Sequence, residues 1–357
     1  MKIAIAAGTR PEFIQVEPII RELKRRGEEP LFIHSGQHYD YEMDRIFFDE
    51  MHLPDPTYHL GIGSKLPLEQ LGEMILRSGP VFTSGRPDLL LVTGDTNTGL
   101  GVSLAAAKAK IPVAHIEAGM RSFDRSMPEE VNRIVIDHIS DYLFSPTRRG
   151  VENLRAAGIV ENVWLSGDVM LDSILDYRGL IGKRSKTLDE LGLGDGDFLL
   201  LTLHREANTD LRDRLEKILG AVARAPLPVV FPVHPRTRQR MESFGLPLPG
   251  NIRPVLPLGY FEFLRVLSRS AKVLTDSGGV QKQAFFLSRP CITLRPNTEW
   301  VETVEARWNV LVDDDRDRIL GAIRDFSPAE CPDLAAFGEG KSTEKIVDTL
   351  KRMLGKA

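Results

Sequence analysis

KIAIAA (Lys2–Ala7) runs into GTRPE (Gly8–Glu12) and then into an amphipathic stretch that reaches about Arg26. A short, mostly apolar run suits a strand buried on both faces, and the period that follows suits a helix laid across it. The alternation continues outward. Apolar runs at Pro30–His34, Leu89–Val92, Pro112–Ile116, Tyr142–Phe144 and Val163–Leu165 are separated by helical patterns. The rhythm restarts beyond Ser166-Gly167, with runs at Phe198–Leu203, Pro228–Val233, Lys272–Thr275, Cys291–Leu294 and Asn309–Val312. Such a series predicts an α/β protein of two Rossmann-like, doubly wound domains in tandem. The expected bounds are 1–168 and 169–341. A last helical pattern over 342–357 carries Ile346, Val347, Leu350 and Leu354 on one face and is expected to pack back on the first domain.

Composition agrees. The 357 residues correspond to about two domains at roughly 150 residues each. Apolar residues make up 42% and charged residues 27%, as in ordinary globular chains. A net charge of −4 argues against a broad surface for nucleic acid or anionic membrane. Two cysteines, Cys291 and Cys331, exclude a disulfide framework and a four-thiolate zinc site, and fit a reducing cytoplasm. The opening stretch stops at Gly8 and reads as a strand rather than a leader. No run approaches the 18 or so apolar residues of a membrane span.

Ligands of doubly wound sheets bind beyond the carboxyl ends of the strands. Arg10 stands there, just before a helix that opens with Pro11, where free N–H groups favour an anion. Asp276-Ser277-Gly278-Gly279 follows KVLT, and its glycines allow a phosphate to approach the backbone. No G-x-G-x-x-G follows a strand and no G-x-x-x-x-G-K-[ST] occurs, so NAD and P-loop chemistry are poorly supported. Asp95 and Glu117 end successive strands. Neighbouring carboxylates repel, so they read as an acid/base pair, or else as a helix cap and a salt bridge. Glu129 and Arg133 share a helix face at i, i+4. His204 ends FLLLTL with Arg205 next to it, and reads as an acid or phosphate ligand, or as a histidine bonded to local backbone. His115 lies inside a strand and reads as structural. His34, His38, His52 and His59 lack metal-ligand spacing, so no metal site is expected. Trp164, Trp300 and Trp308 read as packing.

Taken in order, GTRPE (8–12), SGQH (35–38), TGDTNT (93–98), HIEAGMRS (115–122), PEEVNR (128–133), SPT (145–147), LHRE (203–206), VHPRT (233–237) and TDSGGVQ (275–281) resemble the non-hydrolysing UDP-N-acetylglucosamine 2-epimerases nearly end to end. The resemblance implies two Rossmann-like domains facing across a cleft, as in B-type glycosyltransferases, and a cytoplasmic homodimer acting on a UDP-sugar without cofactor. It implies that Ser277, Gly278 and Gly279 hold the diphosphate with Arg10, and that Phe263 and the backbone near Leu258 flank the uracil. Asp95, Glu117 and Glu129 would be the catalytic acid/base carboxylates, with Arg133 holding Glu129; His204, also catalytic, would face the diphosphate or C2, and Arg205 would help to bind the UDP-sugar. Substrate activation at a neighbouring site would involve SGQH and the loop Gly61–Ser64.

Three positions depart from the family pattern. Gln15 replaces a usual Lys, Gln283 replaces the carboxylate that holds the ribose, and Trp300 replaces an Arg. The TEWVE form (298–302) with HPRTR (234–238) is similar to the branch of UDP-2,3-diacetamido-glucuronate 2-epimerases, where Arg236 and Arg238 could meet a sugar carboxylate. A glycosyltransferase of the same fold and a non-catalytic nucleotide-sugar-binding paralogue are the other readings.

Overall fold

β1 (Ile3–Ala7) is buried at every position, as its unbroken apolar run requires. The computed structural model describes residues 1–37, 45–63 and 65–355. His38 of SGQH and Ser64 of the Gly61–Ser64 loop lie outside the described residues, as do the last two residues of the 342–357 segment. The first sheet adds β2 (Leu31–His34), β3 (Tyr58–His59), β4 (Leu89–Thr93), β5 (Val113–Ile116), β6 (Tyr142–Ser145) and β7 (Val163–Leu165). Its order is β3-β2-β1-β4-β5-β6-β7, with every pairing parallel. The second sheet contains β8 (Leu199–Thr202), β9 (Val229–Pro232), β10 (Ile252–Val255), β11 (Lys272–Thr275), β12 (Cys291–Thr293) and β13 (Asn309–Leu311). Its order is β10-β9-β8-β11-β12-β13, again all parallel.

Strand order reverses at β1/β4 in one sheet and at β8/β11 in the other, so each unit is doubly wound. The expected α/β class of two Rossmann-like units is therefore correct. Two edge strands, β3 and β10, were not expected. β3 is only two residues long, and β10 carries exposed Arg253 and Pro254. Edge strands need not bury both faces and tolerate proline, so they lack the apolar signature of central strands.

The first unit spans Met1–Asp176 and resumes at Leu334; the second spans Tyr177–Asp333. The helix Val169–Asp176 packs on the helix Arg10–Arg25 and so belongs to the first unit. In that unit Ala4, Ala6, Leu90 and Val92 pack with Met74, Phe82, Val102 and Ala106. Gly101 allows two of its helices to touch: a Cβ there would lie 2.7 Å from Met74 Cβ. In the second unit Leu199, Leu201, Phe231 and Leu274 pack with Leu215, Ile218 and Ile319.

The helix Ser342–Leu354 buries Ile346, Val347 and Leu350 and packs against Arg10–Arg25. Its first turn is capped from elsewhere in the chain: buried Asp172 Oδ2 accepts from Thr343 N at 2.7 Å. Burial raises the Asp172 carboxyl against the lowering effect of these donors. Replacing Asp172 with Ala strands helix N–H groups. It should cost about 1–3 kcal/mol, read as a lower urea midpoint with an unchanged slope.

Candidate active site

The residues after β1 and β4 meet at the switch point of the first sheet. Glu12 joins them. Its Oε2 accepts from Gly8 N, Thr9 N and Thr9 Oγ1, each at 2.9 Å, and its Oε1 accepts from Thr96 Oγ1. Asp95 is half-buried, and its carboxylate pairs with the Arg133 guanidinium. Arg133 Nη1 also lies 3.1 Å from Glu130 Oε2. Glu130 is buried and accepts from Ser122 N, Ser122 Oγ and Phe123 N at 2.9–3.0 Å. Besides the Glu129 pairing expected from the resemblance, Arg133 thus meets Asp95 and Glu130. Glu129, half-buried, is the second residue of the helix Pro128–Ile139.

Glu117 follows β5 with φ at +71°, a left-handed conformation that is costly for a side-chain-bearing residue. Gln15 Nε2 donates to Glu117 Oε2 at 2.5 Å. Thus the position where the family pattern has Lys binds Glu117 through a neutral amide. His115 is fully buried, with Nδ1 2.7 Å from Asp137 Oδ1 and Nε2 2.8 Å from Gly94 O. Asp137 also meets Arg121 Nη2 at 2.6 Å and accepts from Gly119 N. Burial alone would raise the Asp137 carboxyl, but His115 and Arg121 outweigh it and hold it low. The expected structural role of His115 is visible here: it links the residue before Asp95 to the loop after Glu117.

The second unit repeats the plan at β8/β11. Thr202 and Thr275 are register partners, and their hydroxyls lie 2.6 Å apart. One step on, Asp276 is completely buried and accepts from His204 N, Arg205 N and Asn208 Nδ2 at 3.1–3.2 Å. His204 Nδ1 lies 3.0 Å from Asp276 Oδ1, while the His204 side chain is 39% exposed. Arg205 Nε donates to Asp276 O at 3.0 Å.

Ser277 caps the helix Gly278–Phe286. Gly278 is buried under Glu299: a Cβ there would lie 2.0 Å from Glu299 Oε1. Glu299 is paired with Arg295 at 2.8 Å. Lys282 Nζ lies 3.9 Å above the Trp300 ring, both residues buried. Gly279 is half-buried at the helix start. Phe263 and Gln283 are buried, and Leu258 is half-buried. Phe263 lies on the helix Tyr260–Arg269. Arg10 lies over the Phe47 ring at 5.4 Å.

The sequence reading passed over Glu12, Glu130 and Asp137 as site-building residues. Each lies on a helix that follows a strand tip, Glu12 on Arg10–Arg25 and the other two on Pro128–Ile139, so the helix that carries a quoted motif was the available signal. Among the described residues, no group of three His, Cys, Asp or Glu is arranged to hold a metal, and no helix is long and apolar enough to cross a membrane.

The family model described as UDP-N-acetylglucosamine 2-epimerase matches residues 21–351. The chain belongs to the UDP-N-acetylglucosamine 2-epimerase family. It is 46% identical to the UDP-N-acetylglucosamine 2-epimerase homolog of Methanococcus maripaludis, over 99% of this chain and 100% of that one. It is 40% identical, over the same shares, to the UDP-2,3-diacetamido-2,3-dideoxy-D-glucuronate 2-epimerase of Pseudomonas aeruginosa. A solved structure of the Methanocaldococcus jannaschii UDP-GlcNAc 2-epimerase, in complex with UDP-GlcNAc and UDP, matches with TM-score 0.93 and 41% identity, covering 99% of this chain and 100% of that one. The resemblance carried by the strand-tip motifs is thus a family relationship along the whole chain.

Glu12 gives this epimerase-family fold a pH signature. Burial pushes its carboxyl from 4.5 up to about 7, against the lowering effect of its four donors. The native state therefore holds the proton more tightly than the unfolded chain. This contribution to stability is fully present below about 4.5 and is lost as pH rises through about 7. Glu12→Gln keeps a residue type that suits the capping box. The difference in urea midpoint between wild type and Glu12→Gln should change across pH 4.5–7, with a slope of at most about 1.4 kcal/mol per pH unit, and flatten above it.

Proposed function

We propose that this chain catalyses cofactor-independent epimerisation at C2 of a UDP-activated 2-acetamido sugar, converting UDP-N-acetylglucosamine to UDP-N-acetylmannosamine. Family membership over nearly the full length carries the reading. The chemistry explains the site. The C2–H of such a sugar is not beside a carbonyl, so direct deprotonation is very hard. Breaking the C1–O bond, with the electron pair leaving on UDP, builds positive charge at C1 and acidifies the C2 proton. A carboxylate takes that proton, giving a 2-acetamidoglucal. Re-protonation on the opposite face, with UDP adding back at C1, gives the 2-epimer.

The reaction needs proton-handling groups for two faces and donors for the departing diphosphate. Asp95, Glu117 and Glu129 are assigned the protons. Arg133 aims Asp95, and Gln15 aims Glu117. Ser277, the Gly278–Gly279 turn, His204 and Arg205 are assigned the diphosphate, with Arg10. Phe263, Gln283 and the backbone near Leu258 are assigned the nucleoside side.

The Pseudomonas aeruginosa relative favours a second reading, a 2,3-diacetamido-glucuronate substrate. Arg236 weighs against it. Its guanidinium is paired with Asp210 at 2.5 Å and Glu206 at 2.9 Å, so a sugar carboxylate would compete with two carboxylates already in place. Arg238 is exposed.

Proton NMR in D₂O tests the function. With UDP-N-acetylglucosamine, the wild type should produce the UDP-N-acetylmannosamine anomeric signal with deuterium at C2 and no added cofactor. Asp95→Asn and Glu117→Gln should abolish exchange, a loss of about 10²-fold or more, and keep UDP binding. Turnover only of the diacetamido-glucuronate nucleotide would make this the uronate branch. UDP binding without exchange on either sugar would reject catalysis.

We also infer a cytoplasmic homodimer, with no nucleic-acid or membrane partner. The helix Pro67–Gly85 supports the dimer, since Leu68 and Leu76 on it are 84% and 76% exposed. Sedimentation equilibrium should give twice the chain mass, and Leu68→Glu with Leu76→Glu should shift it to monomer; a monomeric wild type would reject the inference.

A further inference from the structure

Asp276 has more to do than close a turn. It is the neighbour of His204 because β8 and β11 are paired in register, and it meets the ring as well as the backbone of LHRE. A carboxylate accepts and does not donate. The ring nitrogen 3.0 Å away must therefore bring the proton to that contact. Nδ1 is thereby fixed as N–H, and Nε2 is left as the atom that can gain or lose a proton. Two other described groups near the ring, His234 and Arg205, bring no carboxylate. His234, whose ring centroid is 5.8 Å away, accepts Arg236 N through its own Nδ1, and Arg205 brings only donors.

We propose that Asp276 is the positioning residue for His204: it accepts the Nδ1–H of the protonated, imidazolium ring, so that the second N–H, on Nε2, can donate to the diphosphate as it leaves. This rests on the epimerase reading above. As the C1–O bond breaks and the electron pair moves onto UDP, Nε2–H hydrogen-bonds to a diphosphate oxygen. When UDP adds back, the hydrogen bond is released, and no bond to the protein is formed. Asp276 stays ionised throughout. Burial alone would raise its carboxyl, and His204 and Arg205 outweigh that.

The test starts with ¹⁵N NMR of the histidine rings of wild-type protein, with His204 assigned by its loss in His204→Gln. Nδ1 should be protonated, and with UDP added Nε2 should be protonated as well, with its signal shifted. A neutral His204 carrying its proton on Nε2 would overturn the proposal, and this readout needs no turnover. If no UDP-sugar is epimerised, the functional reading fails while the ring state is still measured.

The second arm is Asp276→Asn. Its carbonyl can keep accepting backbone N–H groups, but an uncharged amide supports the imidazolium less well than a carboxylate does. It should lower kcat by about 10²-fold or more, as expected when the carboxylate that stabilises a catalytic imidazolium is neutralised, and move KM less than about threefold. The double variant with His204→Gln should lose little beyond His204→Gln alone. Unchanged kcat in folded Asp276→Asn, or losses that simply multiply, would overturn the proposal. Should that variant fail to fold, the wild-type ring spectrum decides.

Discussion

Reversal of strand order is the constraint on which both sites depend. Where β1 meets β4 and where β8 meets β11, the connecting helices leave toward opposite faces, so the strand ends there form a crevice. Backbone N–H groups in that crevice need acceptors, and the chain supplies the same device twice. Glu12 gathers Gly8 and Thr9 from one strand end and Thr96 from the other. Asp276 gathers His204, Arg205 and Asn208 across β8 and β11. Each is a buried carboxylate that bridges the two strands. Their charge states differ because their partners differ. The donors described around Glu12 are neutral and burial wins, raising it to about 7. Asp276 faces an imidazole and a guanidinium, and these hold it low despite complete burial.

Asp95 and Glu117 are held by different partners. Asp95 is paired with Arg133, which is itself shared with Glu130, a carboxylate saturated by Ser122 and Phe123. Glu117 receives an amide from Gln15 and sits in strained left-handed backbone. A proton-in, proton-out cycle needs carboxylates held at fixed positions, and the ends of successive strands supply two.

The central strands were legible because burial on both faces leaves an unbroken apolar run. The edge strands β3 and β10 were not, because one side of each lies open and their composition relaxes to Tyr-His and Arg-Pro. The motifs announced Asp95, Glu117, His204 and the Ser277–Gly279 turn by position after a strand. The bridging acids were harder to see. Glu12 reads as an ordinary capping-box residue and Asp276 as a helix-flanking Asp; only the register of paired strands shows that each reaches a second segment. Pairing inside PEEVNR was ambiguous for a related reason. Glu129 at i−4 and Glu130 at i−3 are both within reach of Arg133 on a helix, and spacing alone does not choose between them.

Trp300 shows how far a departure from the family pattern can be judged by one position. Read alone, it removes an arginine from the second site. In the structure, the indole underlies the Lys282 ammonium at 3.9 Å, inside the first turns of the helix Gly278–Phe286. A buried ammonium needs compensation, and an aromatic face is one source of it. Glu299 is paired with Arg295 at 2.8 Å. The position where the family pattern has an arginine thus carries a ring that packs on a cation of the neighbouring helix. The start of that helix, at the Gly278–Gly279 turn, favours an anion through its own dipole, so that character does not require an arginine at 300.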